Sequence, residues 1–187
     1  MPTKKEIDAK VKMVMKYAET LIGLPYKWWT GKNDREDFHY YDEMKDNDFI
    51  KEHGIACSGF VNLLMHKAGA TFPKSVAKDR GGTGFWFYRW RKREGVLQPF
   101  DYTKKYPIGT LLYRRFRDVK DQGHFAVLHS YNKKHPDKLL YGYTIHAYAD
   151  DKYGGRVGIS HLGIDHFYNN SEEGYYEYVV LPKDWLF

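Results

Sequence analysis

The two halves of this chain carry different apolar periods, and that difference limits what it can fold into. Residues 4–22 set Ile7, Val11, Val14, Ala18 and Leu21 three and four positions apart, the spacing of one helix face. Thr3 followed by Glu6 reads as a capping box, and Gly23 as a stop. A second stripe, Phe60, Val61, Leu64, Met65 and Ala68, begins just after Cys57 and ends at Gly69. From Leu111 onward the pattern is that of strands between turns: Leu111 to Phe116, His124 to Tyr131, Leu139 to Ala147, Arg156 to His161 and Tyr175 to Leu181. Helices first and strands afterwards argue for an α+β layer architecture, N-terminal helices on an antiparallel sheet of five to six strands, and against βαβ units.

Two stretches resist this pattern. Residues 30–54 are polar, with Lys32-Asn33-Asp34-Arg35-Glu36-Asp37, and lack a sustained apolar period. They read as a surface insertion with one helical turn near residues 46–51. Residues 76–106 read as an irregular, aromatic-rich segment holding one helix or strand, broken by Gly81-Gly82-Thr83-Gly84 and dense in Phe85-Trp86-Phe87-Tyr88-Arg89-Trp90. At 187 residues with 42% hydrophobic side chains, the chain is expected to form one domain over 1–187 with a single core. The net charge of +6 favours anionic partners without demonstrating one.

Cysteine usage narrows the chemistry. Cys57 is the only cysteine, so intramolecular disulfides, CxxC redox pairs and multi-cysteine zinc sites are excluded. A lone cysteine is ordinarily buried filler, but this one stands at the start of a predicted helix, where the positive end of the helix dipole favours the thiolate. An activated thiol also needs an imidazole and a group that orients it. Nine histidines compete for that role. His124 and His146 lie on two strands joined by a turn centred on His135, so a symmetric hairpin sets them directly across from each other on one face. A one-residue bulge would send one ring to the opposite face.

The residues that carry this chemistry occur in a recognisable order. They are Leu24-Pro25-Tyr26-Lys27-Trp28-Trp29, Ala56-Cys57-Ser58-Gly59-Phe60-Val61, Gly109-Thr110-Leu111-Leu112-Tyr113, Gly123-His124-Phe125-Ala126-Val127 and Ile145-His146-Ala147. In this order the chain resembles the NlpC/P60 papain-like cysteine peptidases, in the non-permuted arrangement, over nearly its whole length. The resemblance implies a papain-like fold and a Cys57, His124, His146 triad of nucleophile, base and orienting residue. It also implies that Tyr26, with Trp28 nearby, helps to bind substrate or the oxyanion, that Ser58 lines the acyl-side pocket, and that Lys74 stands where an arginine is common. The implied reaction is hydrolysis of a peptide or isopeptide amide through an acyl-enzyme, with a peptidoglycan stem peptide as the first substrate class. It needs neither metal nor cofactor. Ala56 departs from the family's Asp before the cysteine, a residue that helps to hold the free amine of such a peptide. Thr110 likewise replaces an Asp.

Other readings stay open. Acyl transfer or thioester cleavage fits the same implied fold. Arg89-Trp90-Arg91-Lys92-Arg93 and Arg114-Arg115-Phe116-Arg117 mix cations with aromatics as nucleic-acid surfaces do, although no nucleic-acid fold accompanies them. His53 and the pair His161 and His166 offer imidazoles without the paired spacing of zinc ligands. Neither a signal peptide nor a membrane span is expected, so a cytoplasmic protein, a virion-associated one, or one delivered by a separate secretion or lysis system are all compatible.

Overall fold

The computed structural model describes residues 1–27, 47–70, 82–115, 123–148, 155–167 and 175–187. Among them are six α-helices and one sheet of six antiparallel strands. In chain order these are α1 (Lys4–Thr20), α2 (Asn47–His53), α3 (Cys57–Lys67), α4 (Thr83–Arg91), β1 (Leu97–Pro99), β2 (Leu111–Arg115), β3 (Gly123–Ser130), β4 (Tyr143–Tyr148), β5 (Arg156–His161), α5 (Leu162–Phe167), β6 (Tyr178–Val180) and α6 (Pro182–Trp185). The strand order is β1-β6-β2-β3-β4-β5. The α+β class is therefore as expected.

The first helix forms for the reasons its sequence gives. The Thr3 hydroxyl accepts from the Glu6 N–H, while the Glu6 carboxylate accepts from the Thr3 N–H at 2.7 Å. Val14, Ala18 and Leu21 face inward, and Gly23 takes φ +92° after the helix. Beyond it the chain runs along the outer edge of β5. Val157 N–H donates to the Leu24 carbonyl at 2.8 Å, and Tyr26 N–H to the Gly155 carbonyl at 2.7 Å. These bonds cover an edge that would otherwise be open.

Strand β3 is buried on both sides. Phe125 and Val127 join the helical layer of Val14, Ala18, Phe60, Leu64, Trp86 and Trp90, whereas Ala126 and Leu128 pack with Leu112, Leu139, Leu162, Tyr176 and Val179. Its near-continuous apolar run follows from that position.

Two expectations are corrected and one is made definite. The one helix or strand expected in the aromatic segment is the helix α4, and its Trp86, Phe87 and Trp90 are core residues. Trp86 stacks on Trp90 at 5.2 Å between centroids and donates its indole N–H to Asn62. Burial of large rings outweighs the weak helix propensity of the flanking glycines. The helical turn expected near residues 46–51 is α2, and its Ile50 is fully buried in the core, so that residue is no part of a surface insertion; residues 30–46 lie outside the described residues. The strand expected from Leu139 begins only at Tyr143, because Leu139–Tyr141 form a 3-10 turn that buries Leu139.

Among the described residues, no helix is long and apolar enough to cross a membrane. The place of α2 is open to test. Ile50→Ala should cost about 2–5 kcal/mol in urea unfolding, whereas a loss below about 0.5 kcal/mol would return the segment to the surface.

Candidate active site

Cys57 opens α3 without a conventional cap. Ala56 occupies the N-cap and offers no side-chain acceptor, so the N–H groups of the first turn are left for other partners. Gly54 just before it adopts φ +79°, and a Cβ there would meet Lys27 Cβ at 3.0 Å and the Pro25 carbonyl at 3.1 Å. Only glycine suits that approach. It lets Ile55 N–H donate to the Pro25 carbonyl at 2.9 Å, which sets the Tyr26 segment beside the start of the helix.

The thiol then meets β3. Leu128 exchanges hydrogen bonds with Gly109 and Thr110 on the β2 side; by alternation Gly123, Phe125 and Val127 present their N–H and C=O groups toward β4. The β3–β4 pairing begins only at Val127, opposite Ile145. Cys57 takes up the vacated groups, with Sγ 3.8 Å from the Gly123 carbonyl oxygen and the Phe125 N–H directed at it. The sulfur thus lies against the backbone on either side of His124. It is only 7% exposed. Burial pushes its pKa up to about 11, against the opposing pull of the Phe125, Ser58 and Cys57 N–H groups.

His124 and His146 come together, though not by direct opposition. Ser130 faces Tyr143, a bulge intervenes, and then Leu128 faces Thr144 and Val127 faces Ile145. Continuing that register sets Ala126, not His124, opposite His146, so the two histidines are diagonal neighbours. The bulge is what puts both rings on one face. Had the Ser130–Tyr143 register run on unbroken, His146 would sit opposite Val127 and point to the side His124 does not face. A bulge expected to part the rings instead unites them, because the hairpin is not centred on His135.

The result is a contact of 2.7 Å between His124 Nε2 and His146 Nδ1. His124 is 8% exposed and His146 5%. Burial, with a smaller push from the Arg114 guanidinium, lowers the His124 pKa to about 4. Burial and then His124 hold that of His146 well below the usual imidazole value. At neutral pH the thiol and both imidazoles are therefore uncharged. Tyr148 stacks on His146 at 4.7 Å, and Gly158 of β5, opposite His146, makes room for the Tyr148 ring.

Two further tyrosines border the thiol. Tyr26 is held by Gly155, where a Cβ would come within 2.4 Å of its own Cβ. Burial, then the nearby Cys57 and Tyr175, raise the pKa of its phenol and keep it a neutral O–H donor. The Tyr175 ring lies 5.9 Å from that of His124, and its pKa is pushed up to about 12, chiefly by burial. Ser58 contributes its backbone N–H toward the sulfur. Trp28 and Lys74 lie outside the described residues.

Sequence reasoning missed Ser160, Asp165, Arg114 and Tyr175. Ser160 Oγ is 2.7 Å from His146 Nε2 and donates to Asp165 Oδ2 in a short contact. Arg114 pairs with His124 in the β2–β3 register, and its guanidinium lies 4.4 Å from the Tyr175 centroid. The available signal was β5, whose Gly158 and Ser160 alternate with apolar Val157 and Ile159 and so mark a polar face turned toward His146.

The alternative sites assemble less. Trp90 of the basic-aromatic run is buried to 1% exposure, so it offers no face for a base to stack on. Among the described residues no three His, Cys, Asp or Glu side chains group to hold a metal ion. A buried thiol, two neutral imidazoles in hydrogen-bond contact and nearby N–H and O–H donors are the kinds of group that acyl transfer uses. No protein-family model matches the chain, and no curated protein sequence matches it.

The depressed histidines make stability depend on pH. Unfolding lets His124 bind a proton at about 6.5 where the folded ring resists until about 4, so their stabilising effect is present above 6.5 and is lost as the pH falls toward 4. Between pH 7 and 4.5 the loss for His124 should be on the order of 2 kcal/mol beyond that of His124→Gln, read by urea unfolding. Parallel pH dependences for the two proteins would contradict the assignment.

Proposed function

We propose that the protein is a cysteine hydrolase of the NlpC/P60 papain-like kind, cleaving a peptide or isopeptide amide through an acyl-enzyme on Cys57. The observation that carries this reading is the single cysteine at a helix start, seated against the backbone that bears His124, with His146 hydrogen-bonded to that ring. The motif order supports it independently.

In the reaction the thiol proton passes to His124 as sulfur attacks the carbonyl carbon. The C=O pair moves onto oxygen, and the donors near the sulfur, the Cys57 N–H and the Tyr26 O–H, are suited to stabilise that oxyanion. The C–N bond breaks as the amine takes the proton from His124. Water, giving a proton to the same imidazole, then attacks the thioester; the acid departs and the proton returns to sulfur. The resting pair is neutral, so thiol deprotonation is coupled to attack and no standing thiolate is needed.

The surroundings bear on substrate charge. No acidic residue stands in the first turn of α3, and position 56 is alanine. Arg114 instead adds a cation opposite His124. These features favour a substrate with a negative group, in place of a free ammonium, beside the scissile carbonyl.

The test is turnover on a panel of amides, isopeptides and stem-peptide fragments, with intact-mass detection of an acyl adduct on Cys57. Cys57→Ala and His124→Ala should each lose on the order of 10³-fold or more in kcat with the fold intact. Near-normal turnover by Cys57→Ala on a confirmed substrate would overturn the proposal.

A further inference from the structure

The hydrogen bonds behind the two histidines run in one direction, and that direction has a consequence at the thiol. We infer that Asp165 is a positioning residue: acting through Ser160 and His146, it fixes the tautomer of His124 so that the nitrogen left bare, Nδ1, is the one available to accept the Cys57 proton. This rests on the proposed roles of Cys57 and His124.

An ionised carboxylate can only accept. Asp165 Oδ2 receives the Ser160 hydroxyl in a short contact and the Thr144 hydroxyl at 3.2 Å. Ser160 has one proton and has given it away, so toward His146 Nε2, 2.7 Å distant, its oxygen can only accept. The His146 proton therefore sits on Nε2 and its Nδ1 is bare. The 2.7 Å contact between His146 Nδ1 and His124 Nε2 must then be filled by a proton on His124 Nε2, and His124 Nδ1 keeps its lone pair.

The reverse polarity fails at both ends. If His146 donated from Nδ1, Ser160 would have to donate to its Nε2 and would meet Asp165 with no proton between two oxygens. His124 would then be protonated on Nδ1 and could not act as a base from that nitrogen. Such a choice between tautomers is otherwise nearly balanced for a neutral imidazole. The groups facing Asp165 are Ser160 and Thr144, the imidazoles of His161 and of His146, whose Nε2 lies 3.8 Å from Oδ2, and the phenols of Tyr175 and Tyr176. Burial raises its pKa while the Ser160 and Thr144 hydroxyls and His161 hold it down.

The chain also acts during the reaction. When His124 takes the thiol proton, its Nε2–H bond to His146 strengthens, and the positive charge is shared along fixed dipoles toward the Asp165 carboxylate. No second proton has to move. The four groups of this chain, His124, His146, Ser160 and Asp165, come from β3, β4, β5 and the first turn of α5, so the anchor lies on the element that follows β5 directly.

The experiment is nitrogen-15 NMR of the imidazoles in the full-length protein, with thiol alkylation by iodoacetamide and turnover measured on the same samples. The wild type should show both His124 and His146 protonated on Nε2 between pH 6 and 8. Asp165→Asn, which frees the Ser160 proton, should lose the single tautomer at His146 and His124 and slow alkylation at pH 7 by about 10²-fold, less than the roughly 10⁴-fold that a wrong tautomer costs a serine triad because Asp165 acts through two intervening groups. Its loss in turnover should fall on kcat, with KM little changed, and Asp165→Glu should recover part of it. Ser160→Ala, which cuts the chain one link later, should reproduce the Asp165→Asn spectrum and serves if that variant does not fold. Unchanged tautomers and alkylation in a folded Asp165→Asn or Ser160→Ala protein would overturn the inference while leaving Cys57 as the nucleophile. Correct tautomers in a wild type that forms no acyl adduct with any substrate would uphold the chain and overturn the proposed hydrolysis instead.

Discussion

The site depends on where β3 and β4 part. Had their ladder continued past Val127, β4 would have taken the Phe125 N–H and the Gly123 carbonyl, and the helix bearing Cys57 would have had no backbone to dock on. Because the strands separate, α3 brings a sulfur to the open edge of β3 in the plane of the sheet, while His124 projects from the same strand. The bulge beside Leu128 does the complementary work two residues earlier in the ladder, turning His146 to the face of His124. Two local irregularities, the parting of the strands and the bulge, thus bring the sulfur and both rings to one stretch of β3.

Burial then sets the chemistry. Cys57, His124 and His146 are each under a tenth exposed, and removing water disfavours every charged form: the thiol moves up and both rings move down. An isolated helix N-terminus would have argued for a ready thiolate. Here the backbone N–H groups around the sulfur offset only part of the burial, so thiol and imidazole are both neutral, and in the proposed reaction the proton moves only when a carbonyl arrives. Asp165, joined to His146 through Ser160, is held by Ser160 and Thr144 at the far end of the chain.

The elements that sequence made legible are those whose burial is one-sided. Helix α1, with its Thr3 cap and Gly23 stop, matches its periodicity closely, and so does the stripe of α3. Strand β5 has the bounds its alternation predicts. Helix α4 could not be told from a strand because its core face is made of Trp86, Phe87 and Trp90 among glycines and arginines, a pattern with no clear period. Ile50 was hidden because one buried aliphatic side chain in a polar stretch leaves no period to detect. At the site, the place of Cys57 at a helix start and the meeting of His124 with His146 were legible from residue type and order. Their register was not, since a bulge leaves no mark in composition. Ser160 and Asp165 escaped because their role appears only once β5 is laid beside β4.

The most direct measurement of the central claim, that sulfur and imidazole work as one unit, is the full pH profile of Cys57 alkylation by a neutral electrophile in the wild type and in His124→Ala. With the thiol near 11 and the ring near 4, base-assisted attack predicts a wild-type rate that is flat from about pH 5 to 9, and a variant that lacks this plateau and climbs about tenfold per pH unit. Two superimposable profiles would show a sulfur indifferent to its neighbour and would contradict the account.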